Sequence, residues 1–287
     1  MYSKRIATLL LLFSLPLAAD QTLLAIPTSR TPTIDGMADE PVWSKTKPVI
    51  TRDAVAGIDI ELRACYDKQH IYILAVFPDA TENREHKPLQ WNPEIELYGK
   101  GPQREDTFVL KWAISPRETD LSLSATTPYK ADIWYWKSAR TDPVGYADDK
   151  FQVYSAKKIA KSLPLLSKNG SRFYLIRRGD SGNSAYQNRM LVEYAGDQTH
   201  AYTIQKPEES RSDILAKGVW AEGVWRVEFM RKLDTGHGDD VIFKPGEAYQ
   251  FGVSRFEIAG RDLDPKIEIP LFGSGEIGES LKLGFSE

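Results

Sequence analysis

Short runs in which apolar residues occupy every second position constrain this chain more than any other feature. The alternation extends over residues 58–66 and recurs in residues 107–114 and 224–229. Since successive side chains of a β-strand point to opposite faces, this period is typical of strands with one buried face. Residues 71–77 are continuously apolar and predict a central strand that is buried on both faces.

Helical signals are few, and further strands are predicted in residues 172–177, 219–220, 249–253 and 281–285. One short helical turn is predicted over residues 39–43, where Pro41 follows two acidic residues. Residues 155–166 are expected to be irregular or briefly helical, and the polar residues 183–217 to form a long loop. The predicted fold class is all-β: an antiparallel β-sandwich with long loops and a few short helices, formed as one domain by residues 20–287.

The first 19 residues have the pattern of a signal peptide. Lys4 and Arg5 precede an apolar run over residues 6–17, and Ala18-Ala19 provides small residues for cleavage. The apolar run is shorter than the roughly 20 residues that span a bilayer. We therefore predict a periplasmic or secreted protein with no membrane span after signal cleavage.

Charge and cysteine content exclude several classes of partner and cofactor. Without residues 1–19, the 37 basic side chains fall to 35 against 40 acidic ones, a net charge of −5. This balance argues against nucleic-acid binding, which requires a basic surface. Cys65 is the single cysteine, so an intrachain disulfide, a cysteine metal site and a covalently attached c-type haem are excluded.

The sequence contains no recognisable catalytic set. It has no G-x-S-x-G motif, and its four histidines include no pair at i, i+4. The turn that carries Asp234, His237, Asp239 and Asp240 could hold a divalent cation or be a solvated glycine-rich turn, and we favour the second. The chain is therefore predicted not to be an enzyme.

Aromatic residues cluster in the middle of the chain. Trp134 and Trp136 would share one face of a strand. With Trp112 and Trp91 they could stack on a sugar, line the walls of a flat macrocycle or pack in the core. The adjacent cations could bind carboxylates such as haem propionates, or could form structural ion pairs; they are Lys137 and Arg140.

Three stretches resemble the haem-binding domain of the ethylbenzene dehydrogenase γ-subunit family, a cytochrome c-552/DMSO reductase-like domain. The first combines Ile34-Asp35-Gly36 with Ala38-Asp39-Glu40 and Trp43, an opening that family-9 carbohydrate-binding modules share. The second begins at Glu105-Asp106 and continues through the Trp134-Tyr135-Trp136-Lys137 segment to Asp148-Asp149. The third runs from Trp225 through Asp240 to Val253.

The resemblance implies one non-covalent haem b per chain, held between the two sheets and used for electron transfer. It implies a periplasmic redox protein or a molybdenum-enzyme complex as partner. Axial ligands in the family are a methionine and a lysine, which suggests Met190 and Lys266 here, with His86 as an alternative ligand. The other interpretations are a secreted carbohydrate-binding module and a structural subunit without haem.

Overall fold

The computed structural model describes residues 21–53, 57–256 and 277–287. The predicted signal peptide and Lys266 lie outside the described residues. No helix of the described chain is long and apolar enough to cross a membrane.

Strands dominate the described chain. The helical elements are α1 (Pro41–Lys45) and two 3₁₀ turns, Asp142–Val144 and Glu209–Ser212. The strands are β1 (Gln21–Pro27), β2 (Val49–Asp53), β3 (Ile58–Tyr66), β4 (His70–Pro78), β5 (Leu89–Asn92), β6 (Leu97–Lys100), β7 (Thr107–Ser115), β8 (Tyr129–Lys137), β9 (Asp148–Ser155), β10 (Leu163–Leu166), β11 (Arg172–Gly179), β12 (Tyr186–Asn188), β13 (Gln198–Thr199), β14 (Tyr202–Ile204), β15 (Leu215–Ala221), β16 (Val224–Lys232), β17 (Tyr249–Phe256) and β18 (Leu281–Phe285).

Two large sheets are joined through β1. The first sheet has the order β10-β11-β9-β8-β7-β17-β18-β1, and the second has the order β1-β3-β4-β16-β15 with β2 also paired to β3. Strand β1 pairs with β18 through its first five residues and with β3 through Ile26 and Pro27. Two small sheets, β12-β14 and β13-β5-β6, lie in the long connections.

The main core lies between the two large sheets. Phe77 of β4 stacks on Phe108 of β7 with ring centroids 5.2 Å apart, and Trp225 of β16 meets Trp136 of β8 at 4.9 Å. Smaller apolar clusters cover the outer faces, one of them around Trp43 of α1. Burial of the apolar faces of the two sheets against each other stabilises a sandwich, because a single sheet would leave an apolar face in water.

The predicted fold class is confirmed, with three local differences. Both pairings of β1 are parallel, which is possible because β1 and β18 are at opposite ends of the chain and no hairpin joins them. Residues 163–166, at the end of the segment predicted as irregular or briefly helical, form β10. The predicted loop 183–217 contains β12, β13, β14 and the start of β15.

Candidate functional site

A pocket lies where β7 begins and β8 ends. Three segments enclose it, residues 84–88, 138–143 and 200–204, and its volume is about 340 Å³. We call it the edge pocket; its polar lining residues include Arg84, His86, Arg140, His200 and Tyr202. A volume of this size is at the lower end of the range for small-molecule sites.

Asp142 holds the loop that follows β8 against the rest of the molecule. Its Oδ1 accepts hydrogen bonds from Nε1 of Trp136 at 2.9 Å and from the backbone N–H of Gly218 at 2.6 Å. Its Oδ2 accepts from Arg84 at 2.7 Å and from Lys217 at 3.2 Å. One buried carboxylate therefore connects the core, β15 and one wall of the edge pocket.

Glu105 anchors the same loop at Ala139 and Arg140. Its Oε2 accepts hydrogen bonds from the backbone N–H groups of Ala139 and Arg140, at 2.9 and 3.1 Å, while Oε1 pairs with the Arg140 guanidinium. The guanidinium also lies over the rings of Tyr186 and Tyr202, 4.9 and 5.1 Å from their centroids. Arg140 is thus fixed by a charge pair and by two aromatic faces.

His86 is the buried histidine of the edge pocket, whereas His200 is exposed. Its Nδ1 lies 3.3 Å from Oε1 of Glu105 but makes no hydrogen bond with the described residues. Only 10% of its side chain is exposed. Burial, with the charges of Arg140 and Lys87 nearby, lowers the pKa of His86 to about 2. The imidazole is therefore neutral at pH 7, the form that binds metals.

Lys137 lies close to the edge pocket but is already paired. Its ammonium forms a buried ion pair with Asp148 and lies 3.0 Å from the Tyr186 hydroxyl. Lys150 and Arg211 also contact the Asp148 carboxylate. Burial lowers the pKa of Lys137 to about 8, against the opposing effect of Asp148. This arrangement matches the structural ion-pair alternative more closely than a free propionate partner.

The tryptophans at 112, 134 and 136 all lie in the core between the sheets and are fully buried. Trp112 stacks on Phe251 at 4.6 Å and lies 5.2 Å from Trp134 and 5.1 Å from Phe243. The described residues of this core include no methionine. Side chains fill the space, so the inter-sheet position that the family resemblance implies does not fit a haem among the described residues.

The remaining predicted site residues lie apart from one another. Met190 is 92% exposed and does not line the edge pocket. Trp91 lies on β5, with ring centroids 5.0 Å from Tyr98 and 5.4 Å from Tyr194. The structure therefore brings the predicted residues together in two places: the tryptophans at 112, 134 and 136 in the core, and His86 with Arg140 at the edge pocket, with Lys137 next to them.

Three residues around the edge pocket had no predicted role: Glu105, His200 and Tyr202. Glu105 was present in the family stretch but gave no sign of its contact with His86, which is 19 residues away and on another segment. His200 and Tyr202 lie in the stretch predicted as a loop, and only the folded chain brings them to the edge pocket.

Comparison with known proteins identifies one family and a structural similarity. A family model described as ethylbenzene dehydrogenase matches residues 38–262, a range that includes His86, Glu105 and Arg140. The chain is similar to a family 9 carbohydrate binding module from Caldicellulosiruptor kristjanssonii in complex with glucose, at 11% identity and a TM-score of 0.40, with 92% of this chain and 94% of that chain covered. The same module in complex with cellotriose gives 14% identity, a TM-score of 0.39 and coverage of 93% and 95%. No curated protein matches the chain.

Proposed function

This chain belongs to the ethylbenzene dehydrogenase family, and from that premise we propose that it is an exported haem b subunit that transfers electrons and is not itself a catalyst. Its proposed partner is a periplasmic redox protein or a molybdenum-enzyme complex. The proposed place of the haem is the edge pocket, since the inter-sheet core is filled by aromatic side chains.

The observation that carries this proposal is the environment of His86. Metal-binding histidines usually direct their second ring nitrogen at a carboxylate, which sets the tautomer and leaves the other nitrogen as the donor. Glu105 lies 3.3 Å from Nδ1 of His86 and is itself held by two backbone N–H groups. This arrangement favours a proton on Nδ1 and leaves Nε2 as the candidate ligand.

Other residues of the edge pocket suit the same cofactor. His200 provides a second imidazole. Arg84 and Arg140 place guanidinium groups in the pocket wall, where each is already paired with a carboxylate, Asp142 or Glu105. A bound haem would supply one-electron redox chemistry. The protein would hold the iron, limit its contact with water and set its potential through the ligand and the burial of the site.

The test is the visible spectrum of the exported full chain after reconstitution with haem. We expect a Soret band in the wild type and its shift or loss in His86→Ala. His70→Ala is the matched control, because His70 lies at the start of β4 outside the edge pocket. Met190→Ala and Lys266→Ala test the ligands that the family resemblance implies. A wild type that binds no haem, with normal circular dichroism, would contradict the proposal.

A second candidate function is carbohydrate binding, for which the aromatic group on β5 and β6 is the specific observation. Trp91 and Tyr98 are half-buried and Tyr194 is exposed, so ring surface is accessible there. The group is also rigid, because the Tyr98 hydroxyl accepts from the N–H of Ala195 and donates to the carbonyl of Gly196. Aromatic faces held in this way can stack on sugar rings.

Quenching of tryptophan fluorescence by oligosaccharides tests this alternative. If it holds, Trp91→Ala removes the quenching and Trp220→Ala, on the β15 edge, leaves it intact. An absence of response to a broad glycan panel would rule out the carbohydrate interpretation and leave the haem proposal untouched.

A further inference from the structure

We infer that the first sheet contains a divalent-cation site, best suited to Ca²⁺, whose ligands are carboxylate oxygens of Asp132, Asp149 and Asp240. Asp180 lies next to Asp149, to whose backbone carbonyl its N–H donates a hydrogen bond at 3.3 Å. This site is separate from the edge pocket and does not depend on the proposed haem.

The fold brings the three ligands together from distant parts of the chain. Asp149 on β9 pairs with Trp134 on β8, so Asp149 and Asp132 are diagonal neighbours on one face of the sheet. Asp240 reaches the same place from the connection between β16 and β17. One oxygen from each carboxylate lies within 4.8 Å of the other two. That spacing suits one Ca²⁺, because Ca–O distances of about 2.3–2.6 Å allow two ligand oxygens to be up to about 5 Å apart.

Asp149 points to a missing ligand. It is fully buried, and no N–H group or hydroxyl of the described residues donates a hydrogen bond to either of its carboxylate oxygens; its side chain faces the Asp180 carboxyl group. Both oxygens of Asp180 and the Oδ1 atoms of Asp132 and Asp240 also lack such a donor. Buried polar groups in native proteins are nearly always satisfied, so this concentration of open acceptors requires an ion or protons.

The balance of buried charges around these aspartates also indicates a bound cation. Arg231 is the cation that contacts these carboxylates in the described chain: it pairs with Asp132 and lies 3.6 Å from Asp240. One guanidinium against four buried acids leaves a strong negative excess, which is costly in a poorly solvated interior. A dication would remove most of the excess.

The surrounding contacts leave the proposed ligand atoms available. Oδ2 of Asp132 accepts from Arg231 and from the backbone N–H of Val241, while Oδ2 of Asp240 accepts from the Thr235 hydroxyl at 2.5 Å. In both residues Oδ1 is left for another partner. Orienting one carboxylate oxygen so that the other can bind is the usual task of groups around a metal site. All-oxygen donors favour Ca²⁺ over softer transition metals.

The experiment measures ion content and thermal unfolding of the full chain. After treatment with EGTA and titration with Ca²⁺, we expect one bound Ca²⁺ per chain. At a hundredfold excess over Kd, we expect a Tm roughly 5–10 °C above that in EGTA. Asp149→Asn should abolish the Tm shift and the binding. Asp120→Asn is the matched control, because Asp120 pairs with Lys168 at the surface, away from the proposed ligands, and it should keep both.

Equal melting in EGTA and Ca²⁺, with no bound ion, would overturn the inference and mean that protons neutralise the cluster. If Asp149→Asn does not fold, Tb³⁺ luminescence of the wild type decides the question. Trp134 contacts Arg231 and can sensitise a nearby Tb³⁺. Emission that Ca²⁺ displaces supports the site, and an absence of such emission overturns it.

Discussion

The indole Nε1 of Trp136 donates a hydrogen bond to Oδ1 of Asp142 across 2.9 Å, and both side chains are fully buried. The bond links the inter-sheet core to the loop that forms one wall of the edge pocket. Since the same carboxylate also holds Arg84 and Lys217, the shape of the pocket depends on how the core packs.

Asp142→Ala is expected to lower the free energy of unfolding by about 3 kcal/mol. The change leaves the Trp136 N–H and the Gly218 N–H without their acceptor in a buried position, and it separates two cations from their partner. Urea unfolding followed by tryptophan fluorescence measures the effect. Asp59→Ala is the control, because Asp59 forms an exposed ion pair with Arg52 and should change stability by less than about 1 kcal/mol. Equal losses in the two variants would contradict this account of Asp142.

Gly218→Ala should destabilise the sandwich because β15 passes directly over an indole. A Cβ atom at this position would lie within 3.0 Å of the Trp136 ring, which is buried and has little room to move. We expect a loss of about 1–3 kcal/mol, the usual cost of overpacking. Gly99→Ala provides a strand glycine for comparison, since its nearest neighbour is 4.0 Å away. A chemical denaturation series should show a loss for the first variant and almost none for the second.

Glu228 is expected to make the protein more stable at mildly acidic pH. Its carboxylate accepts from the N–H of Gly36 at 2.7 Å and from the Trp43 indole at 3.0 Å, yet burial, together with the charge of Glu40, raises its pKa to about 7. At pH values between the ordinary carboxyl pKa and about 7, the folded chain binds more protons than the unfolded chain. This contribution to stability is therefore complete at low pH and is lost as the pH rises through about 7.

The measurement is the free energy of unfolding of wild type and Glu228→Gln at pH 5 and pH 8. The wild type should lose up to about 3 kcal/mol more than the variant over this range. Glu118→Gln removes an exposed carboxyl and should behave like the wild type. A pH dependence that is the same with and without the Glu228 carboxyl would disprove the assignment.

The Cys65 thiol is expected to be inert in the folded protein. It is fully buried on β3, and burial raises its pKa far above the usual value, so the reactive thiolate is scarce. Ellman's reagent should find no thiol in the native state and one per chain in guanidinium chloride. Cys65→Ser has no thiol and therefore gives the background signal of the assay. Rapid labelling under native conditions would mean that β3 opens readily.

Local pattern was enough to predict most strands and the fold class. The alternation in residues 58–66 and the continuous apolar run in residues 71–77 correspond to β3 and to the buried centre of β4. Strand period is a property of neighbouring residues, so it can be read without knowledge of the partners. The parallel pairing of β1 with β18 could not be predicted from local pattern, because it joins residues more than 250 positions apart.

For the candidate sites, even less could be predicted from the sequence, and more depended on the tertiary structure. The sequence by itself determined that aromatic residues and cations cluster around Trp134 and Lys137, that a single cysteine excludes an intrachain disulfide and a cysteine metal site, and that the family motifs are present. Tertiary structure decided that Trp112, Trp134 and Trp136 fill the core, that His86 meets Glu105, and that Asp132, Asp149 and Asp240 converge. The reason is physical: burial, carboxylate proximity and open acceptors depend on which distant strands and loops pack together, and no short stretch of residues encodes those contacts.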